Sequence, residues 1–152
     1  MMAILEAEVK EFVRQQKLGF IATVCPDGTP NLSPKGTVTV WDDDHLAFLD
    51  ICSPGTVSNL SQNPSIEINM VDVFIRKGYR FKGTAQVISN GDIFNRIISN
   101  YGEAAKKYKV SHVVLVRVTR VLEVTSPAYD VGDTEEELRE RYVKYWSEIH
   151  GF

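Results

Sequence analysis

Cysteine and histidine are scarce in this chain: Cys25 and Cys52 are its two thiols, and His45, His112 and His150 its three imidazoles, among 152 residues. No Cys-x-x-C occurs, no histidine follows either cysteine at ligand spacing, and the histidines lie far apart. Neither a zinc site nor a thioredoxin-type pair is therefore expected, the metal expectation is none, and both thiols are read as free and reduced. No apolar run approaches the ~18 residues that span a bilayer, and the opening "MMAILEAEVKEFVRQQK" breaks its apolar residues with charge every few positions. The expectation is a cytoplasmic protein without membrane contact. Long blocks of one charge are also missing; 20 acidic and 17 basic side chains are scattered along the chain and leave a formal charge of -3. That removes the electrostatic footprint a nucleic acid would need.

What remains is an ordinary globular composition, with 43% hydrophobic and 24% charged residues. The length suits one domain over 1–152, able to bury roughly two thirds of its surface. Ile4, Leu5, Val9, Phe12 and Val13 recur at helical spacing over 4–17. Then come "GFIATVC", the turn "PDGTP", "NLSPKGTVTVW", the acidic turn "DDDH" and "LAFLDIC", which reads as three strands joined by tight turns. A short helix ends near Asn63-Pro64, where proline forbids continuation. "SIEINMVDVF" and "YRFKGTAQVIS" alternate as strands with one wet face, "GDIFNRIISNYGEAAKKYK" returns to a helical period, and the β-branched run "SHVVLVRVTRVLEVT" predicts a strand inside the sheet. Thr134 and Glu137 form a capping box for a final helix over about 134–150, with Leu138, Tyr142, Tyr145, Trp146 and Ile149 on one face. The whole is mainly β with flanking helices: six antiparallel strands that close most economically into a barrel, which removes exposed edges.

One stretch points to chemistry. In "DICSPGTVSNLSQNP", Ser53 is a favoured N-cap and Pro54 a favoured first helical residue, leaving Gly55, Thr56 and Val57 to donate backbone N–H groups. These donors, the Thr56 hydroxyl and the positive end of the helix dipole converge on one point that the glycine leaves open, which makes a phosphate cradle. The alternative is that Ser-Pro simply starts a helix. No Ser/His/Asp or Cys/His constellation and no paired carboxylates on a helix face suggest hydrolysis, so no catalytic residue is assigned.

Taken in order, Ala22-Thr23, Asp27-Gly28-Thr29-Pro30, Ser33-Pro34, the helix start, Asn59-Leu60-Ser61-Gln62-Asn63-Pro64 and Gly83-Thr84-Ala85 resemble the flavin-binding split-barrel family to which pyridoxamine 5'-phosphate oxidase belongs, over about residues 5–125. The resemblance implies a six-stranded split barrel that binds FMN and works as a homodimer with the flavin at the subunit interface. It implies that Ser33, Pro34, Lys35, Gly36 and Thr37 run beside the isoalloxazine and ribityl chain, that Asp50, Ile51 and Cys52 line the ring, and that Ser53, Gly55 and Thr56 hold the 5'-phosphate. Lys35-Gly36 as a mere exposed bulge is the alternative. The implied activity is flavin-mediated hydride or electron transfer on a small substrate, with NADH or NADPH or another electron donor. A non-catalytic flavin or redox-sensing module, or a barrel holding haem or F420, are the alternatives.

Two departures matter. Many family members place Lys or Arg in the phosphate turn near Gly55 or Thr56, where this chain has none; Lys35 is the candidate cation, with Arg80 or Lys82 behind it. The tail "RERYVKYWSEIHGF" lacks the Arg-x-His element by which true pyridoxamine-phosphate oxidases hold their substrate, so a vitamin B6 substrate is not expected. Tyr142 and Trp146 either cover a flavin or pack in the core.

Overall fold

The computed structural model describes residues 3–152; Met1 and Met2 lie outside the described residues. Helix α1 (Ala7–Gln16) precedes β1 (Gly19–Val24), β2 (Pro30–Lys35), β3 (Thr39–Val40) and β4 (His45–Asp50). Helix α2 (Pro54–Gln62) leads to β5 (Ser65–Asp72) and β6 (Lys77–Ile88). Then follow α3 (Asp92–Tyr101), α4 (Glu103–Lys107), β7 (His112–Thr125), a 3-10 turn (Pro127–Val131) and α5 (Glu135–His150). All strand pairs are antiparallel, and the sheet order is β2-β1-β5-β6-β7-β4-β3.

The sheet has seven strands where the alternation predicts six, because the expected strand over 31–41 is cut in two. Its halves, β2 and β3, lie at opposite edges of the sheet. Only Gly36–Val38 carries the chain between them, a link that spans roughly 10–14 Å. The edges are therefore drawn together and the sheet curls into a split barrel. The link is fixed where Val38 N–H donates to Lys17 O (3.1 Å) and Leu49 N–H donates to the Thr37 hydroxyl (3.0 Å).

Alternation then fills two layers. Leu46 and Phe48 point into the barrel with Ile21, Ile68, Met70, Phe81, Val114 and Val116, and Val9 and Val13 of α1, with Leu5 just ahead of the helix, plug the end. Ala47 and Leu49, facing the other way with Val113 and Leu115, are covered by Ile97 of α3 and Ala105 of α4. Strands β4 and β7 are thus apolar on both faces, which explains the unbroken run in β7. The helix expected over 91–109 is interrupted at Gly102, whose φ of 59° ends α3 and starts α4. Helix α5 begins as expected, with Thr134 and Glu137 satisfying each other's backbone N–H. In the Gly-Thr-Ala segment, Gly83 sits at a register shift between β6 and β7; a Cβ there would lie 2.0 Å from Arg117 O. Among the described residues no helix is long and apolar enough to cross a membrane.

Candidate functional site

The chain turns out of the sheet at the end of β4 and enters α2 through Ile51-Cys52-Ser53. Pro54 occupies the first helical turn as expected, but the Ser53 hydroxyl makes no capping hydrogen bond. Asp50 holds the turn instead: its Oδ1 accepts the Ser53 N–H at 2.8 Å. Val57 is also removed from the expected donor set, because its N–H donates to Ser53 O at 3.2 Å to close the first turn of α2. Gly55 and Thr56 keep their backbone N–H groups out of such bonds, and no heavy atom lies within 4 Å of the place a Gly55 Cβ would take. The helix tip is open at Gly55 while Thr56, 3% exposed, faces inward.

The motif around Asn59 has a structural cause. Asn59 Nδ2 donates to Thr23 Oγ1 (3.0 Å) and approaches Cys25 Sγ (3.6 Å), so the Ala-Thr strand and the Asn-Leu helix segment lock α2 onto β1 and set its angle of approach.

Beside the tip lies a charged cluster from three strands. Lys35, at the end of β2, is 9% exposed; its Nζ donates to Ser33 Oγ (2.5 Å) and Pro34 O (3.4 Å). Among the described residues no carboxylate lies within 4 Å of this ammonium. Burial pulls its pKa below the ordinary lysine value, and the charge of Asp50 offsets this in part. Asp50 is itself 5% exposed and faces His112 across the β4–β7 pair, Oδ2 to Nδ1 3.0 Å. Asp50, Cys52, Ser53, Val57, Ser111 and His112 line a cavity of about 360 Å³ against the start of α2. His112 was not legible as a site residue: its partner is 62 positions away, and only the strand register brings the two together.

The other expected residues divide. Pro34 is exposed opposite Phe20, and Gly36 is exposed with open space beside its Cα. Thr37 is committed to the fold: its hydroxyl accepts from Leu49 and its carbonyl from Tyr101 Oη (2.5 Å). Ile51 lies partly buried against the outer apolar layer, and the Cys52 thiol is exposed. Arg80 and Lys82 are both drawn to Glu67 on β5, away from the tip, so within this subunit neither is free for a ligand there. Tyr142 lies under the Arg76 guanidinium, 3.9 Å from ring centroid to Cζ, while Trp146 packs between Tyr145 and His150; within this chain both serve packing.

A curled seven-stranded antiparallel sheet with its edges drawn together and helices flanking it is the split-barrel architecture. Residues 5–125 match the family model for pyridoxamine 5'-phosphate oxidase, and the chain belongs to that family. Among solved structures it is similar to HupZ of Group A Streptococcus, at 29% identity over 80% of this chain and 94% of that one, with a TM-score of 0.69. An FMN-binding protein from Syntrophomonas wolfei shares the fold at 14% identity, covering 80% and 87% of the two chains with a TM-score of 0.69. HutZ, the heme storage protein of Vibrio cholerae, shares it at 22% identity, covering 80% and 94% with a TM-score of 0.63.

Proposed function

We propose that the protein is a homodimeric FMN-binding oxidoreductase that acts on a small substrate other than a vitamin B6 phosphate. The observation that carries this is the open start of α2 at Gly55, held by Asp50 through the Ser53 N–H, with Lys35 buried without a carboxylate in ion-pair reach and acted on by the same Asp50 charge. Family membership makes FMN the ligand of first choice. When bound, FMN supplies the hydride or electron transfer. Ser33 to Thr37 and Asp50 to Cys52 would flank the ring, and the Gly55 and Thr56 N–H groups would hold the phosphate.

Magnitudes support the dimer. Micromolar to nanomolar affinity takes ~8–12 kcal/mol. A helix dipole contributes about 0.3–2 and each charge-assisted hydrogen bond about 1.5–3, so burying the ring must supply much of the rest. The barrel interior is filled by its own side chains, which leaves no room for a ring inside. The outer face of β1 and β2, by contrast, exposes Phe20 (41%) and Leu32 (66%), an apolar surface suited to a second copy closing over a flavin.

The test is the absorption spectrum of the protein as isolated, with release and identification of its chromophore, followed by FMN fluorescence quenching and reduction of bound flavin by NADH or NADPH. A colourless protein that neither quenches FMN nor is stabilised by it overturns the reading. A haem-holding barrel is the second reading, supported by the likeness to HutZ; a Soret band on haem addition, with indifference to FMN, would favour it. F420 in place of FMN is separated by the same titration run with that deazaflavin. A bound flavin that no nicotinamide donor reduces would favour a non-catalytic or redox-sensing role.

A further inference from the structure

Among the described residues, two apolar faces have no cover. One lies on the sheet, where Phe20 and Leu32 are exposed on the outer side of β1 and β2 with Leu18 just ahead of them. The other lies on α5 and the residues that end it, where Leu138, Tyr142, Tyr145, Ile149 and Phe152 recur at spacings of four, three, four and three residues, the pattern that keeps one seam along a helix. We propose that α5 is an exchanged arm: in the dimer, the α5 of each copy packs its free end on the outer face of β1 and β2 of the other. This rests on the homodimer reading and deepens it by the element that makes the contact.

The surroundings of the seam change along its length. Leu138 is fully buried at the first turn and Tyr142 lies under the Arg76 guanidinium, so the base of α5 is fixed to the connection between β5 and β6. Further on the cover ends: Tyr145 is 47%, Ile149 54% and Phe152 69% exposed. A seam buried at its base and bare at its tip belongs to a helix that leaves its own barrel. The outer sheet face of the same chain is bare as well, so α5 does not cover it in cis, and the anchored base keeps the helix from turning back onto it. A second copy brings the two faces together.

The faces agree in size and in charge. From Tyr145 to Phe152 the bare seam runs about 10 Å along the helix, and from Leu18 to Ala22 the strand runs about 13 Å. Strand register continues the row of Leu32 and Ala22 across the sheet to Glu67 and Lys82. There one carboxylate serves two cations, because Glu67 faces both Arg80 and Lys82, and Lys82 is held loosely at 3.9 Å. On α5, Glu148 stands beside the seam, three residues after Tyr145 and four before Phe152. Among the described residues no Lys, Arg or His nitrogen lies within 4 Å of its carboxylate. With the seam on the apolar strands, Glu148 supplies the carboxylate that the surplus cation at Lys82 lacks. A twofold axis repeats the contact, arm to sheet and sheet to arm.

Sedimentation equilibrium of the full-length protein reads the dimer dissociation constant. Ile149→Asp, at an exposed position, is expected to leave far-ultraviolet circular dichroism unchanged and to raise that constant ~10- to 100-fold. The decisive measurement mixes Ile149→Asp with Leu32→Asp at a concentration where each alone is monomeric. An exchanged arm predicts a mixed dimer, because the intact arm of one variant meets the intact sheet of the other while both new charges fall in a single spoiled contact. Glu148→Lys is expected to weaken the dimer ~2- to 10-fold, and Lys82→Glu added to it to restore most of that loss, which carries the test should an aspartate variant fail to fold. A folded Ile149→Asp variant that dimerises like the wild type, or a mixture that stays monomeric, overturns the exchanged arm and leaves the dimer reading standing. A monomeric wild type overturns both.

Discussion

Tyr101, the last residue of α3, donates its hydroxyl to the Thr37 carbonyl at 2.5 Å across 64 positions of sequence. That bond pins the short link between the two sheet edges to a helix on the barrel's outer layer. Burial raises the Tyr101 pKa well above the ordinary tyrosine value. Tyr101→Phe is expected to cost about 1 kcal/mol, seen as a melting temperature lower by roughly 2–4 °C. Alkaline difference spectroscopy of the folded wild type should show this tyrosine ionising last, with unfolding.

Gly83 and Gly55 are both motif glycines, yet their environments predict opposite outcomes. A Cβ at Gly83 would meet the Arg117 carbonyl at 2.0 Å, and neither backbone can retreat without breaking the β6–β7 ladder. Gly83→Ala is expected to destabilise by more than ~3 kcal/mol, or to abolish folding, in denaturant titration. At Gly55 nothing lies within 4 Å, so Gly55→Ala should be neutral or stabilising by up to ~1 kcal/mol through helix propensity. The same methyl group would stand where the ligand approaches, so FMN affinity should fall in a fluorescence titration.

Lys35→Met separates stability from binding. Because burial lowers the folded-state pKa of Lys35, the unfolded chain binds the proton more tightly, and the ammonium opposes folding wherever it is charged. The variant should melt above the ligand-free wild type near neutral pH. That advantage should shrink as pH rises from the lowered value toward the ordinary 10.5, where the wild-type lysine becomes neutral in both states. FMN should stabilise the wild type more than the variant. A variant that melts below the wild type at neutral pH would contradict the argument.

The exposed pair Phe20 and Leu32 predicts assembly. Leu32→Asp places a charge on the outer face of β2 without touching the barrel core. It is expected to leave far-ultraviolet circular dichroism unchanged while light scattering after size exclusion moves from dimer to monomer. Bound flavin should be lost with the partner.

Much of this was legible because it is local. The two-residue alternation of 65–72 and 77–88 encodes β5 and β6, and the Thr134–Glu137 capping box encodes the start of α5; each depends on residues a few positions apart. The ordered motif set led to the split-barrel family because its glycines, prolines and turns are answers to local backbone geometry. The same local reading overcounted donors at the helix start, since it could not show Val57 N–H folding back to Ser53 O, and it merged two edge strands that are continuous in pattern.

Most elements, their order and the open turn at Gly55 are encoded locally, because periodicity and turn chemistry act between near neighbours. The meeting of Asp50 with His112, the bond from Asn59 to Thr23 and the burial of Lys35 without a carboxylate arise in three dimensions. Those relationships come from sheet register and curl, set by packing between residues far apart in the chain, and no window of sequence contains both partners.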